Sequence, residues 1–98
     1  MFRSTGACYA LAVTFEEIVE LALARKAEMP SGSATTALLE AGTHAIGKKL
    51  VEEAAESWIA ARYESDDDVA TELSQLLYYV AVLMADRRIP LSEVYSRL

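Results

Sequence analysis

Apolar residues recur at intervals of three and four along most of the chain, the spacing that places them on one side of an α-helix. The first such run follows Thr14, which forms a capping box with Glu17 and predicts a helix over residues 15–28. The proline, glycine and serines within residues 29–33 predict a loop. A short helix over residues 35–41 follows, and the next glycine ends it.

Two longer helices joined by a short turn occupy most of the remaining sequence. Thr43 is predicted to cap the first, which ends near Tyr63, and Ser65 to cap the second, which stops before Pro90. The apolar stripe of the first comprises Ile46, Leu50, Ala54, Ser57 and Ala61. The apolar side of the second comprises Val69, Leu73, Leu76, Leu77, Val80, Leu83 and Met84. Ser92 begins a short terminal helix.

The predicted fold is all-α. No useful length of β-alternation, repeat or low-complexity tract appears, and residues 14–98 are expected to form one helical bundle of about four to five helices. Residues 1–13 are interpreted as a disordered tail. Hydrophobic residues make up 53% of the chain, more apolar surface than one small helical unit can hide, so a homo-oligomer is expected.

Charge and composition exclude several function classes. The formal net charge is −6 and no basic cluster occurs, which argues against a nucleic-acid partner because duplex affinity needs many lysine and arginine contacts. The longest nearly apolar run, residues 76–85, is about half the length that spans a bilayer, so no membrane role is expected. Cys8 is the only cysteine, which excludes an internal disulfide and fits a reducing cytoplasm.

Acidic residues on the two long helices are predicted to face each other. The short turn makes these helices antiparallel. At about 1.5 Å per residue, Glu56 and Glu72 lie about 13 and 11 Å below the turn, and Glu53 and Gln75 about 18 and 15 Å. Successive residues are about 100° apart around a helix, so Glu53 and Glu56 on the first helix, and Glu72 and Gln75 on the second, border the apolar seam between the helices. The four residues therefore form two facing rungs.

Carboxylates beside a core repel one another unless a cation or hydrogen bonds relieve them, and hard oxygen ligands suit Mg²⁺. Such an ion can offset charge on phosphate groups, so release of pyrophosphate by water attack is one possible reaction. Lys48 and Lys49, one turn earlier, are candidates for phosphate contact, and Glu52 for a further ligand or the catalytic base. Solvated surface decoration is the alternative interpretation of Glu53 and Glu56.

Two stretches of sequence carry a family resemblance. Gly47-Lys-Lys-Leu-Val-Glu-Glu-Ala-Ala-Glu56 and Glu72-Leu-Ser-Gln-Leu-Leu-Tyr-Tyr79 resemble the phosphoribosyl-ATP pyrophosphohydrolases, which catalyse the second step of histidine biosynthesis. The resemblance implies hydrolysis of the α,β phosphoanhydride of phosphoribosyl-ATP, giving phosphoribosyl-AMP and pyrophosphate with Mg²⁺. It also implies a homodimer of bundled helices that binds its nucleotide substrate between protomers.

The resemblance also assigns roles to residues. It implies that Glu53, Glu56 and Glu72 are catalytic metal ligands, and that Lys48 and Lys49 lie on the phosphate side. One departure concerns Gln75, which stands where the family pattern has aspartate and offers a neutral carbonyl oxygen without charge. Either three acids hold the metal with help from Glu52, or metal affinity is reduced.

Two further substrate contacts are expected, Thr35 in the segment that looks like the family's Ser/Thr loop and Tyr79 on the acidic edge. His44 is expected at the surface. Trp58, Tyr78 and Tyr79 are expected in the core or a dimer interface rather than in an adenine stack, with Tyr79 as the exception to test. Two other functions stay open. One is a housecleaning pyrophosphohydrolase acting on nucleoside triphosphates, and the other is a non-catalytic helical dimerisation module.

Overall fold

The computed structural model describes residues 13–98, and within them it contains five α-helices and no β-strand. The helices are α1 (Phe15–Glu28), α2 (Ala34–Ala41), α3 (Thr43–Tyr63), α4 (Asp66–Arg87) and α5 (Leu91–Tyr95). This confirms the predicted all-α bundle of four to five helices. The tail predicted at residues 1–13 falls, except for its last residue, outside the described part of the chain. None of the helices in that part is long and apolar enough to cross a membrane.

Side chains at the helix starts explain two of the predicted boundaries. Thr14 accepts a hydrogen bond from the backbone N–H of Glu17 at 3.1 Å, and Glu17 accepts one from the backbone N–H of Thr14 at 2.7 Å. Ser65 and Asp68 form the same reciprocal capping box at the start of α4. Each box satisfies backbone donors that a helix start leaves without partners.

The predicted cap of α3 is wrong. Thr43 is already helical, and Gly42 occupies the cap position with a φ of 98°, a left-handed value that glycine adopts without steric cost. The Thr43 hydroxyl instead donates a hydrogen bond of 2.6 Å to Asp86 near the end of α4. Two other starts differ by one residue, because Ser33 caps α2 and α5 begins at Leu91.

The core has two parts, and both involve the C-terminal half of α4. In the first, Val19 and Ala22 of α1 pack with Ala81, Met84 and Ala85 of α4. In the second, Leu39 of α2, Ile46 of α3 and Val82 of α4 meet. The buried residues that α4 contributes to these clusters are Ala81, Val82, Met84 and Ala85, so the core lies toward the C-terminal end of that helix.

The buried face of α3 differs from the predicted stripe. Ile46 and Ser57 are buried as expected, but Ala54 and Ala61 are exposed, and Glu53 and Ala60 are buried instead. Relative to the predicted orientation, α3 is rotated so that Glu53 faces the core in place of the adjacent Ala54.

The apolar side of α4 is also covered incompletely. Of the seven residues predicted on that side, only Met84 is fully buried, and Leu73 and Leu77 are 46% and 47% exposed. Both leucines precede the core residues of α4, which begin at Ala81. The chain thus leaves apolar surface open within residues 13–98.

Candidate metal centre

Three carboxylates from two helices converge at the α3–α4 seam. Glu53 and Glu56 lie one turn apart on α3, and Glu72 approaches from α4. One oxygen of each carboxylate lies within 4.8 Å of one oxygen of the other two. The predicted meeting of the two acidic edges is therefore correct, although Glu72 approaches Glu53 as well as Glu56.

Glu53 is the most enclosed of the three. Its side chain is 7% exposed, and the carbonyl oxygen of the same residue accepts a hydrogen bond of 2.8 Å from the Ser57 hydroxyl. Glu72 is half-buried and Glu56 is exposed, so the cluster opens toward solvent on the Glu56 side. A small ligand can enter from that side.

Two oxygen atoms in the cluster lack hydrogen-bond partners. Oε1 of Glu53 and Oε1 of Glu72 are both buried, and no side-chain or backbone donor of residues 13–98 reaches them. Buried acceptors of this kind normally find a donor or a cation. Because hard carboxylate oxygens are the ligands that Mg²⁺ prefers, the three residues fit a divalent cation of that type.

The cluster changes the acidity of Glu72. Burial raises the pKa of its carboxyl group above the usual value of 4.5, and the nearby Glu53 raises it further through a shared hydrogen bond and charge repulsion. A contact with Glu56 opposes this rise in pKa. A proton on Glu72 can supply a donor for the buried oxygen of Glu53, and a bound cation can replace that proton.

The other residues predicted at the metal lie around the cluster. Gln75 is exposed one turn after Glu72, and no hydrogen bond joins its amide to the described side chains. Glu52 is half-buried and its Oε1 lies 3.6 Å from the Nζ atom of Lys49. Lys48 and Lys49 are both exposed, so their ammonium groups are available to a solvent-borne anion.

The two predicted substrate contacts have different surroundings. Thr35 is buried and shares a hydrogen bond with the Tyr78 hydroxyl, so its hydroxyl is held by the protein. Tyr79 is half-buried and lines a hollow between α2, α3 and α4, together with Lys49. The sequence interpretation missed the partnership of Thr35 with Tyr78, since no sequence spacing relates two residues on helices that are not neighbours in the chain.

The sequence agrees with one known family along nearly all of this structure. The family model of the phosphoribosyl-ATP pyrophosphohydrolases matches residues 15–98. The chain belongs to the phosphoribosyl-ATP pyrophosphohydrolase family. The match confirms the resemblance predicted from the acidic motifs, and it covers all five helices. This family comprises pyrophosphohydrolases of histidine biosynthesis, which act on a phosphoanhydride.

The sequence of this family member also led to predictions for His44, Tyr78 and Trp58, which lie outside the metal centre. His44 is exposed in the first turn of α3, as predicted. Tyr78 packs against the cluster of Leu39, Ile46 and Val82, as expected of a core residue. A core position for Trp58 is wrong, because its side chain is 71% exposed, and the alternative of a dimer interface stays a prediction.

Proposed function

We propose that this protein hydrolyses phosphoribosyl-ATP to phosphoribosyl-AMP and pyrophosphate, the second step of histidine biosynthesis, with Mg²⁺ as cofactor. The observation that carries the proposal is the group of Glu53, Glu56 and Glu72, in which two buried oxygens find no donor among residues 13–98. Membership of the family supports the choice of substrate.

The three glutamates would hold the ion, with the carbonyl oxygen of Gln75 as a neutral fourth candidate. Bound Mg²⁺ supplies positive charge that offsets the phosphate oxygens and the leaving pyrophosphate. The acidic cluster, which by itself repels a nucleotide, then becomes a site for one. Neutralisation of the cluster also ends the repulsion that raises the pKa of Glu72.

The residues beside the cluster would handle phosphate and proton. Lys48 and Lys49 are exposed cations one turn before Glu52 and Glu53 and would bind phosphate oxygens. Glu52 would take a proton from the attacking water as the water oxygen bonds to phosphorus and the phosphoanhydride bond breaks. Glu52 lies 3.6 Å from Lys49, so the proposed base would stand beside one of the proposed phosphate-binding cations.

We also propose a homodimer, acting in the cytoplasm. The exposed large hydrophobic side chains on the two long helices include Val51, Trp58, Ile59, Leu73 and Leu77. A second copy of the chain that covers them would bury apolar surface which residues 13–98 leave open. The nucleotide would then bind close to the interface.

The decisive experiment supplies phosphoribosyl-ATP, ATP and each deoxynucleoside triphosphate separately, with Mg²⁺, and measures released pyrophosphate. Turnover of phosphoribosyl-ATP that is lost in Glu53→Gln and Glu72→Gln, but kept in Glu20→Gln on the exposed face of α1, supports the proposal. Turnover of deoxynucleotides without phosphoribosyl-ATP would favour the housecleaning function. An absence of turnover with every substrate would favour the non-catalytic module.

A further inference from the structure

A hollow of about 340 Å³ lies between α2, α3 and α4. Its walls are almost entirely apolar, and Lys49 is the one charged residue on them. The lining residues are Ala34, Ala37, Leu38, Ala41, Lys49, Tyr78 and Tyr79. Ligand pockets in proteins occupy about 300–1,000 Å³, so this hollow suits one ring system better than a whole nucleotide.

Two residues that line the hollow share helix faces with the carboxylates. Lys49 precedes Glu53 by four residues, which places it on the same side of α3 and about 6 Å along the helix axis. Tyr79 follows Glu72 by seven residues, close to two full turns, and so shares its side of α4. The hollow therefore begins about one helical turn from the carboxylates on α3.

We propose that this hollow binds the purine base of a nucleotide whose phosphates lie at Glu53, Glu56 and Glu72. The inference rests on the proposed function, and it adds a base subsite with named walls. Alanine and leucine side chains and two tyrosine rings offer the apolar and aromatic contacts that a base takes up when it leaves water. Lys49, at the end toward the carboxylates, complements the negative charge of the phosphates.

The wall nearest the core is fixed by a contact between helices. The Tyr78 hydroxyl and the Thr35 hydroxyl of α2 form a hydrogen bond. The Tyr78 and Tyr79 rings stand edge to face, with centroids 5.0 Å apart and planes at 67°. Thr35 is thus a positioning residue, because it holds Tyr78, which in turn packs against Tyr79.

The test compares two ligands that differ only in the base. Adenosine monophosphate and ribose 5-phosphate are titrated separately into the protein with saturating Mg²⁺, and Mg²⁺ is titrated alone. We expect adenosine monophosphate to bind about tenfold more tightly than ribose 5-phosphate. Ala41→Leu, which fills the hollow from α2, removes that preference and leaves Mg²⁺ affinity unchanged. Thr35→Val reduces the preference without changing the affinity for ribose 5-phosphate.

The matched control is Ala27→Leu, which adds the same side chain to an exposed helical alanine outside this hollow. It keeps the full preference for the base. Equal binding of the two ligands by the unaltered protein overturns the inference, as does an equal loss of both in Ala41→Leu. A base preference in a protein that never hydrolyses phosphoribosyl-ATP supports the subsite and overturns the proposed reaction, so the two failures are distinguishable.

Discussion

Glu53 of α3 and Glu72 of α4 direct carboxylate oxygens to within 4.8 Å of each other, and each carboxylate has one buried oxygen that no donor in the described part of the chain reaches. Two like charges at this distance in a half-buried place oppose folding unless a proton or a cation lies between them. The arrangement is therefore costly for the free protein and useful for a protein that binds a divalent ion.

Glu53→Gln is expected to improve stability while it removes metal binding. The glutamine amide can donate a hydrogen bond to the buried oxygen of Glu72, and one negative charge disappears. We expect the free protein to gain about 1 kcal/mol in free energy of unfolding, or about 4–8 °C in Tm, by thermal denaturation without metal. Calorimetric titration should show Mg²⁺ affinity at least tenfold weaker.

The matched control for this substitution is Glu20→Gln, which removes one exposed carboxylate from α1. It should leave both Tm and Mg²⁺ affinity unchanged within error. A lower Tm for Glu53→Gln with normal Mg²⁺ binding would instead identify Glu53 as a structural residue.

Glu72 should make the stability of the metal-free protein depend on pH. Its pKa is raised in the folded state, so the folded protein binds this proton more tightly than the unfolded chain does. The stability that the proton provides is present below the unfolded pKa of 4.5 and is lost as pH rises through the higher folded value. Glu72→Gln, which stays neutral, should lack this component when unfolding is measured from pH 4.5 to 8.

Addition of Mg²⁺ provides the second arm of that experiment. The ion should stabilise the unaltered protein most at the alkaline end, where Glu72 is ionised, and should leave Glu72→Gln nearly unaffected. Parallel pH profiles for the two proteins without metal would contradict the shared-proton arrangement.

The exposed leucines of α4 should control association. Leu73 and Leu77 lie one turn apart, and each is nearly half exposed. For the proposed homodimer, the double change Leu73→Glu and Leu77→Glu is expected to raise the dissociation constant at least thirtyfold, since two apolar contacts would become charged. Light scattering after size exclusion would measure this. Leu98→Glu, at a position 97% exposed, is the control and should leave the dimer intact.

A hydrogen bond joins the short helix α5 to α1. The Tyr95 hydroxyl donates to Oε2 of Glu16 at 2.6 Å, and this bond lowers the pKa of Glu16 and raises that of Tyr95 from 10.0. Tyr95→Phe should lower Tm at pH 7. Because the pKa of Glu16 is depressed, the difference should persist down to about pH 4.5 and fade below it, as the carboxylate is protonated.

The control for that contact is Tyr63→Phe. The exposed Tyr63 hydroxyl accepts a 3.3 Å hydrogen bond from Nε of the neighbouring Arg62. Its removal should not change Tm measurably at any pH, since both side chains are in solvent. An effect of Tyr95→Phe that is constant from pH 3 to 7 would mean that packing, rather than the bond to Glu16, anchors α5.

Local features of the sequence were enough to define the helices and the acidic motif. Capping boxes at Thr14 and Ser65 are short-range, so the residues that form them are neighbours in the chain. The approach of Glu72 to Glu56 also follows from counting along two helices joined by a short turn, whereas the same count placed Gln75, not Glu72, opposite Glu53. The family match agrees with that motif.

Only the tertiary structure decided how far each helix is rotated and which contacts join distant segments. Hydrophobicity favoured Ala54 as a buried residue of α3, but packing against α4 buried Glu53 instead and left two carboxylate oxygens without donors from residues 13–98. The bond between Thr35 and Tyr78 joins residues 43 positions apart, and no local pattern encodes such a pair. Hydrophobic periodicity predicts the direction of the apolar side of a helix only to within about 100°, the angle between successive residues. Glu53 and Ala54 are successive residues, so periodicity could not decide which of the two faces α4.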